Sequence, residues 1–135
     1  MDPAESLQHI LQSKRIFGEL FYEVLFRRFP KIRLHFDGVD MERQALVVTM
    51  ALDSVVHHAD GDYPAVRLYL RHLGTQHHRK GISPELYPMW CDAMMVALET
   101  FLGELWDETL AAQWRKALNQ ATHTMVEGYR KPEAI

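Results

Sequence analysis

The sequence predicts an all-α domain of about six or seven helices, and three observations lead there. Apolar residues recur at steps of three and four along nearly the whole chain. Helix-start signals punctuate it: Asp2-Pro3-Ala4-Glu5, Asp40, Ser83-Pro84-Glu85 and Asp107-Glu108-Thr109. No stretch alternates apolar and polar as a half-buried strand does. Val47-Val48 and Val55-Val56 are β-branched pairs, but they sit inside a long helical-period pattern.

The elements follow in order. Asp2 caps a first helix with Pro3 at its first position and Glu5 three residues on, and Leu7, Ile10 and Leu11 form its inner face. Phe17, Leu20, Phe21, Val24 and Leu25 give a second helix one apolar face. Pro30 breaks it, Lys31 to Phe36 fits a short helical turn, and Asp37-Gly38 turns the chain. Asp40 then caps a long helix lined by Met41, Ala45, Val48, Leu52 and Val55. Gly61 and Pro64 separate it from a segment carrying Val66, Leu70 and Leu73, which runs into a His-rich stretch stopped by Gly81. After Ser83-Pro84-Glu85 a stripe of Trp90, Met94, Ala97, Phe101 and Leu105 predicts the next helix. Pro88 inside it means a bent first turn or a later start. Leu110, Trp114, Ala117, Ala121 and Met125 share one face of the last helix, and residues 130–135 read as a solvated tail.

The totals narrow the function classes. The chain has 135 residues, 47% hydrophobic and 24% charged, which suits one globular domain with a core of its own. A net charge of −3 disfavours a nucleic-acid partner. The single cysteine, Cys91, leaves no intramolecular disulfide to form, and the N-terminus has neither a basic patch nor an apolar signal core. No apolar run approaches the roughly 18 residues of a membrane span. The expectation is a cytoplasmic protein without a membrane or nucleic-acid partner. Eight histidines are many for this length and direct attention to metal or haem chemistry.

The informative stretch is Leu73-Gly74-Thr75-Gln76-His77-His78-Arg79-Lys80-Gly81-Ile82, followed by Ser83-Pro84-Glu85-Leu86-Tyr87-Pro88. Leu-Gly, two residues, a His, three residues, Gly, an aliphatic residue, and an aromatic ten positions after the His: this order resembles the proximal region of bacterial single-domain globins and of the haem domain of flavohaemoglobins. Upstream, Phe21-Tyr22 with Leu25-Phe26, Pro30 and Phe36 is similar to the family's distal helix and its turn. Asp40-Met41-Glu42-Arg43-Gln44, with Val48 and Leu52, is similar to its distal Gln helix. Leu102-Gly103 and Trp114 match downstream, so the likeness covers roughly residues 5 to 129.

The resemblance implies a globin fold around haem b, with His77 as the axial iron ligand. Tyr22 and Gln44 would be hydrogen-bond donors to a bound gas, and Phe36, Val48 and Leu73 a dry wall. Elementary chemistry agrees. Imidazole is a good ligand for haem iron, and one axial His leaves the opposite face open. Gln44 and His77 stand on different predicted helices and so can approach a flat cofactor from two sides. His78 points about 100° away from His77 on a helix and belongs in solvent. His72 competes for the axial role but lacks the Leu-Gly lead and the Gly81 spacing. His57-His58, at a helix end, read as a surface stack or carbonyl caps rather than a metal site. Tyr87 either hydrogen-bonds on the proximal side or simply packs. Arg79 and Lys80 are either partners for haem propionates or ordinary exposed charges.

The pattern also departs from the family. Trp90-Cys91 replaces an apolar residue followed by Gly, which places Trp90 against the haem and narrows the pocket. Tyr129 falls near the slot where flavohaemoglobins carry a Glu that pairs with the proximal Tyr and His. Glu127 lies two residues away, off that helix face. The implied function is reversible binding of O2, and of CO and NO, for oxygen storage, delivery or sensing. The alternatives are NO dioxygenation, which would need an external reductase because the 135 residues hold no reductase module, and a haem-free regulatory module. Sensing would require a separate partner or a homodimer formed through exposed helix faces.

Overall fold

The structure, a computed structural model, describes residues 1–130. Six α-helices occupy most of that span: α1 (Pro3–Leu11), α2 (Lys14–Arg28), α3 (Met41–Asp60), α4 (Pro64–Arg79), α5 (Tyr87–Leu102) and α6 (Glu108–Arg130). Short 3-10 turns at Pro30–Phe36, Pro84–Leu86 and Gly103–Leu105 join them, and no strand occurs among the described residues. The expected tail lies outside the described residues except for Arg130, which closes α6.

The start signals act as read. The Asp2 carboxylate accepts from the Glu5 amide at 2.8 Å, and the Glu5 carboxylate accepts from the Asp2 amide at 3.3 Å. Asp40 caps α3 through the Glu42 and Arg43 amides, and the Asp107 carboxylate caps α6 through the Leu110 amide at 2.8 Å. α5 takes the later of the two starts that Pro88 offered, but ends earlier than expected. Its start moves to Tyr87, after the 3-10 turn, so Pro88 falls at the second helical position. There a missing amide hydrogen has no intrahelical partner to lose. The apolar stripe also stops before Leu105. The chain turns at Gly103, whose φ of +57° favours glycine, and Leu105 is 44% exposed beyond it.

Every helix contributes to one core. Its largest fully enclosed side chains include Ile10, Phe17, Phe21, Leu52, Leu70, Met94, Leu98 and Trp114. Trp114 satisfies its indole by donating to the Ser6 hydroxyl at 2.9 Å, which ties α1 to α6.

Glycines set how closely the helices approach where it matters for the cavity described below. A Cβ on Gly18 of α2 would lie 2.0 Å from the Ala45 carbonyl oxygen of α3. Backbone therefore meets backbone one turn before Tyr22 and beside Gln44. On the other side, a Cβ on Gly74 of α4 would lie 1.7 Å from the Met125 carbonyl oxygen of α6. One on Gly128 would lie 2.1 Å from the Arg71 carbonyl oxygen. α4 and α6 form the most extensive pairing in the molecule, and the pairing locates His77 one turn past Gly74.

Candidate functional site

One cavity gathers the eight residues that the sequence pointed to for holding haem and gas. Tyr22, Phe36, Gln44, Val48, Leu73, His77, Tyr87 and Trp90 all line it, and it encloses about 870 Å³ of space, open mouth included. α2 and α4 share no substantial contact, so Tyr22 and His77 face the cavity from different walls. The walls are mostly apolar, and the polar groups fall into pairs.

The first pair comes from α2 and α3. The Gln44 side-chain amide donates to the Tyr22 hydroxyl at 3.0 Å. The oxygen of Tyr22 is thus engaged as an acceptor, and its own proton has no acceptor among the described residues. Burial pushes the Tyr22 hydroxyl up to about 12, with the Gln44 hydrogen bond working weakly against it. It stays protonated and remains a donor at any physiological pH. Phe36 packs edge-on against the Tyr22 ring at 5.3 Å, and Phe21 at 4.9 Å, which fixes the ring. Trp90 meets Phe21 edge-on at 5.6 Å and forms a further aromatic part of the wall.

The second pair comes from α4 and α5. His77 Nδ1 hydrogen-bonds with the Tyr87 hydroxyl at 2.8 Å, so Tyr87 does more than pack. The bond leaves Nε2 of His77 without a hydrogen-bond partner among the described residues. Burial, with a smaller contribution from the positive charge of Lys80, lowers His77 to about 4. The ring is neutral at pH 7, as a metal-ligating imidazole must be. Burial also holds the Tyr87 phenol well above the usual tyrosine range.

The other histidines lie elsewhere. His72 does not line the cavity, and its Nδ1 is buried without a hydrogen bond. His78 is exposed and rests against Tyr129, ring centroids 5.2 Å apart. His57 caps its own helix by donating to the Asp53 carbonyl at 2.8 Å and meets the Tyr63 ring. His58 reaches across to the Thr124 hydroxyl at 2.9 Å. Arg79 and Lys80 are exposed and absent from the lining. Tyr129 donates to the Ile82 carbonyl at 2.8 Å, while Glu127 turns to Arg71, 3.5 Å away. The pair on α4 and α5 therefore has no carboxylate partner among the described residues.

The lining also holds residues that the sequence reading passed over. Val47 and Ala51 share a face with Gln44 and Val48 at i, i+3, i+4 and i+7, and Tyr69 precedes Leu73 and His77 by four and eight positions. That spacing was available. Leu86 and His35 come from 3-10 segments and carried no such signal; Ile82, the aliphatic residue after Gly81 in the motif, also reaches the lining.

The sequence matches the Globin family over residues 19–125. The chain belongs to the globin family. This globin is 24% identical over 108 residues to a flavohemoprotein of Candida norvegensis, a match covering 78% of the chain and 27% of that protein. It is 25% identical over 84 residues to a neuroglobin of Tetraodon nigroviridis, covering 62% of the chain and 52% of that protein. Among solved structures, it is similar to a protein of Pseudomonas aeruginosa PAO1 described as structurally highly homologous to a human hemoglobin. The TM-score is 0.76 at 25% identity, and the match covers 92% of this chain and 98% of that one. Membership of the globin family implies haem. The cavity's donor set fits the group: a neutral imidazole with a free Nε2 on one wall, a hydroxyl donor on another, and apolar side chains between. No helix among the described residues is long and apolar enough to cross a membrane.

Proposed function

We propose that this globin holds haem b in the cavity through His77 and reversibly takes up a diatomic gas there. O2 is the principal ligand, with CO and NO also accepted, and the role is oxygen storage, delivery or sensing. The observation that carries the reading is the Tyr22–Gln44 hydrogen bond of 3.0 Å, on a different wall of the same cavity from the His77–Tyr87 bond of 2.8 Å.

Haem b, when bound, supplies an iron centre with one open position for the gas. His77 Nε2 would hold the iron; the neutral ring then carries its proton on Nδ1, which donates to the Tyr87 hydroxyl oxygen and so fixes the orientation of the ring. On the Tyr22 side of the cavity, the hydroxyl would offer a hydrogen bond to a polarised gas, while the Gln44 amide occupies its oxygen and so directs that donor. Phe36, Val48, Leu73 and Trp90 exclude water from the space between. O2 draws more negative charge than CO, so a fixed donor favours O2 retention.

The test is ligand release from the haem-loaded protein. A hydrogen bond to a charged partner is worth about 1.5–3 kcal/mol, roughly a ten- to hundred-fold change in rate. Tyr22→Phe should therefore accelerate O2 release by that factor and leave CO release nearly unchanged in stopped-flow traces. Equal acceleration for both gases would refute the donor role of Tyr22.

A further inference from the structure

We propose that Tyr129, in the last turn of α6, is a positioning residue for His77. The proposal rests on the axial role given to His77 above.

Three contacts converge. The Tyr129 hydroxyl donates to the Ile82 carbonyl at 2.8 Å, and the Ile82 amide in turn donates to the His77 carbonyl at 3.0 Å. The Tyr129 ring stands edge-on to Tyr87 at 6.0 Å and 76°, and Tyr87 holds Nδ1 of His77. The same ring lies against His78, centroids 5.2 Å apart. The backbone and the imidazole of His77 are therefore each one residue removed from Tyr129.

Tyr129 itself sits on a fixed base. Its neighbour Gly128 meets α4 backbone to backbone, and the Thr75 hydroxyl donates to the Gly128 carbonyl at 3.0 Å. The loop it grips reverses at Gly81, where φ is +78°. Ile82 follows directly and also lines the cavity. Removing the phenol oxygen frees the Ile82 carbonyl and loosens both the loop and the neighbour of Tyr87. Because the Tyr129 proton goes to a main-chain carbonyl, the residue acts by placement and adds no charge. Groups that orient a metal ligand from behind tune its bond to the metal.

The experiment compares haem-loaded wild type, Tyr129→Phe and Tyr87→Phe by two readouts. One is the iron–histidine stretching band of the ferrous, gas-free protein in resonance Raman spectra. The other is amide hydrogen exchange at Ile82. Tyr129→Phe keeps the ring and should still bind one haem. Its band should shift and broaden towards that of Tyr87→Phe, and Ile82 should exchange about tenfold faster, equivalent to roughly 1.4 kcal/mol. Tyr87→Phe should shift the band and leave Ile82 exchange as in wild type. A Tyr129→Phe protein with faster exchange and a wild-type band would make Tyr129 merely structural and overturn the proposal, as would no change in either readout. A wild type that takes up no haem would refute the axial reading itself. The two failures are thus distinct.

Discussion

Gly74→Ala sets two physical effects of opposite sign against each other, and the structure decides between them. On helix propensity alone the change should stabilise α4 by about 0.8–1.0 kcal/mol. The space forbids it. The new Cβ would lie 1.7 Å from the Met125 carbonyl oxygen, 2.6 Å from its carbon and 3.0 Å from its Cα. All three are backbone atoms of a helix and cannot rotate aside. α4 and α6 must part by about an ångström or more, and overpacking of this kind costs roughly 1–3 kcal/mol, occasionally more. The net expectation is a loss of at least about 1 kcal/mol. With a urea m-value of roughly 2 kcal/mol per molar, the unfolding midpoint falls by about 0.5 M or more. His77 lies one turn further along α4, so haem should also be lost faster to an acceptor protein. Urea unfolding and haem-transfer rates measure the two effects. A midpoint at or above wild type would refute the reasoning, because propensity would then have outweighed the contact.

Three further expectations follow from the same geometry. Gln44→Leu removes the donor that occupies the Tyr22 oxygen. O2 release should accelerate by less than with Tyr22→Phe, since the hydroxyl itself stays, and the double variant should show non-additive effects in a mutant cycle. In the haem-free protein, His77 titrates at about 4 when folded against about 6.5 when unfolded, so the unfolded chain binds the extra proton. Stability from this group is complete above about pH 6.5 and falls as pH drops towards 4, by on the order of 3 kcal/mol. His77→Leu should flatten that part of the urea-midpoint profile, and an unchanged slope would contradict the burial of the ring.

Much of this was legible because it is local. The Asp2–Glu5 box, the Asp40 and Asp107 caps and the apolar stripes all act within one or two turns, and apart from Leu105 the structure forms them as read. The cavity was legible less from spacing than from the ordered set Tyr22, Gln44, His77, Gly81 and Tyr87, which no single helix contains. What stayed hidden is long-range and lacks side-chain chemistry of its own. The Tyr129–Ile82 bond joins residues 47 apart and ends on a main-chain carbonyl, which any residue carries. The Leu105 error has a different origin. The stripe kept its period across Gly103, and only the backbone reversal there shows that the helix had ended.

The most direct test of the central claim is the absorption spectrum of reduced protein supplied with haem, with and without CO, in wild type and in His77→Gly. Wild type should bind one haem with the spectrum of an imidazole-ligated iron that shifts on adding CO. His77→Gly should lose that spectrum and regain it with free imidazole. A His77→Gly protein whose haem spectrum matches wild type without imidazole would contradict the account.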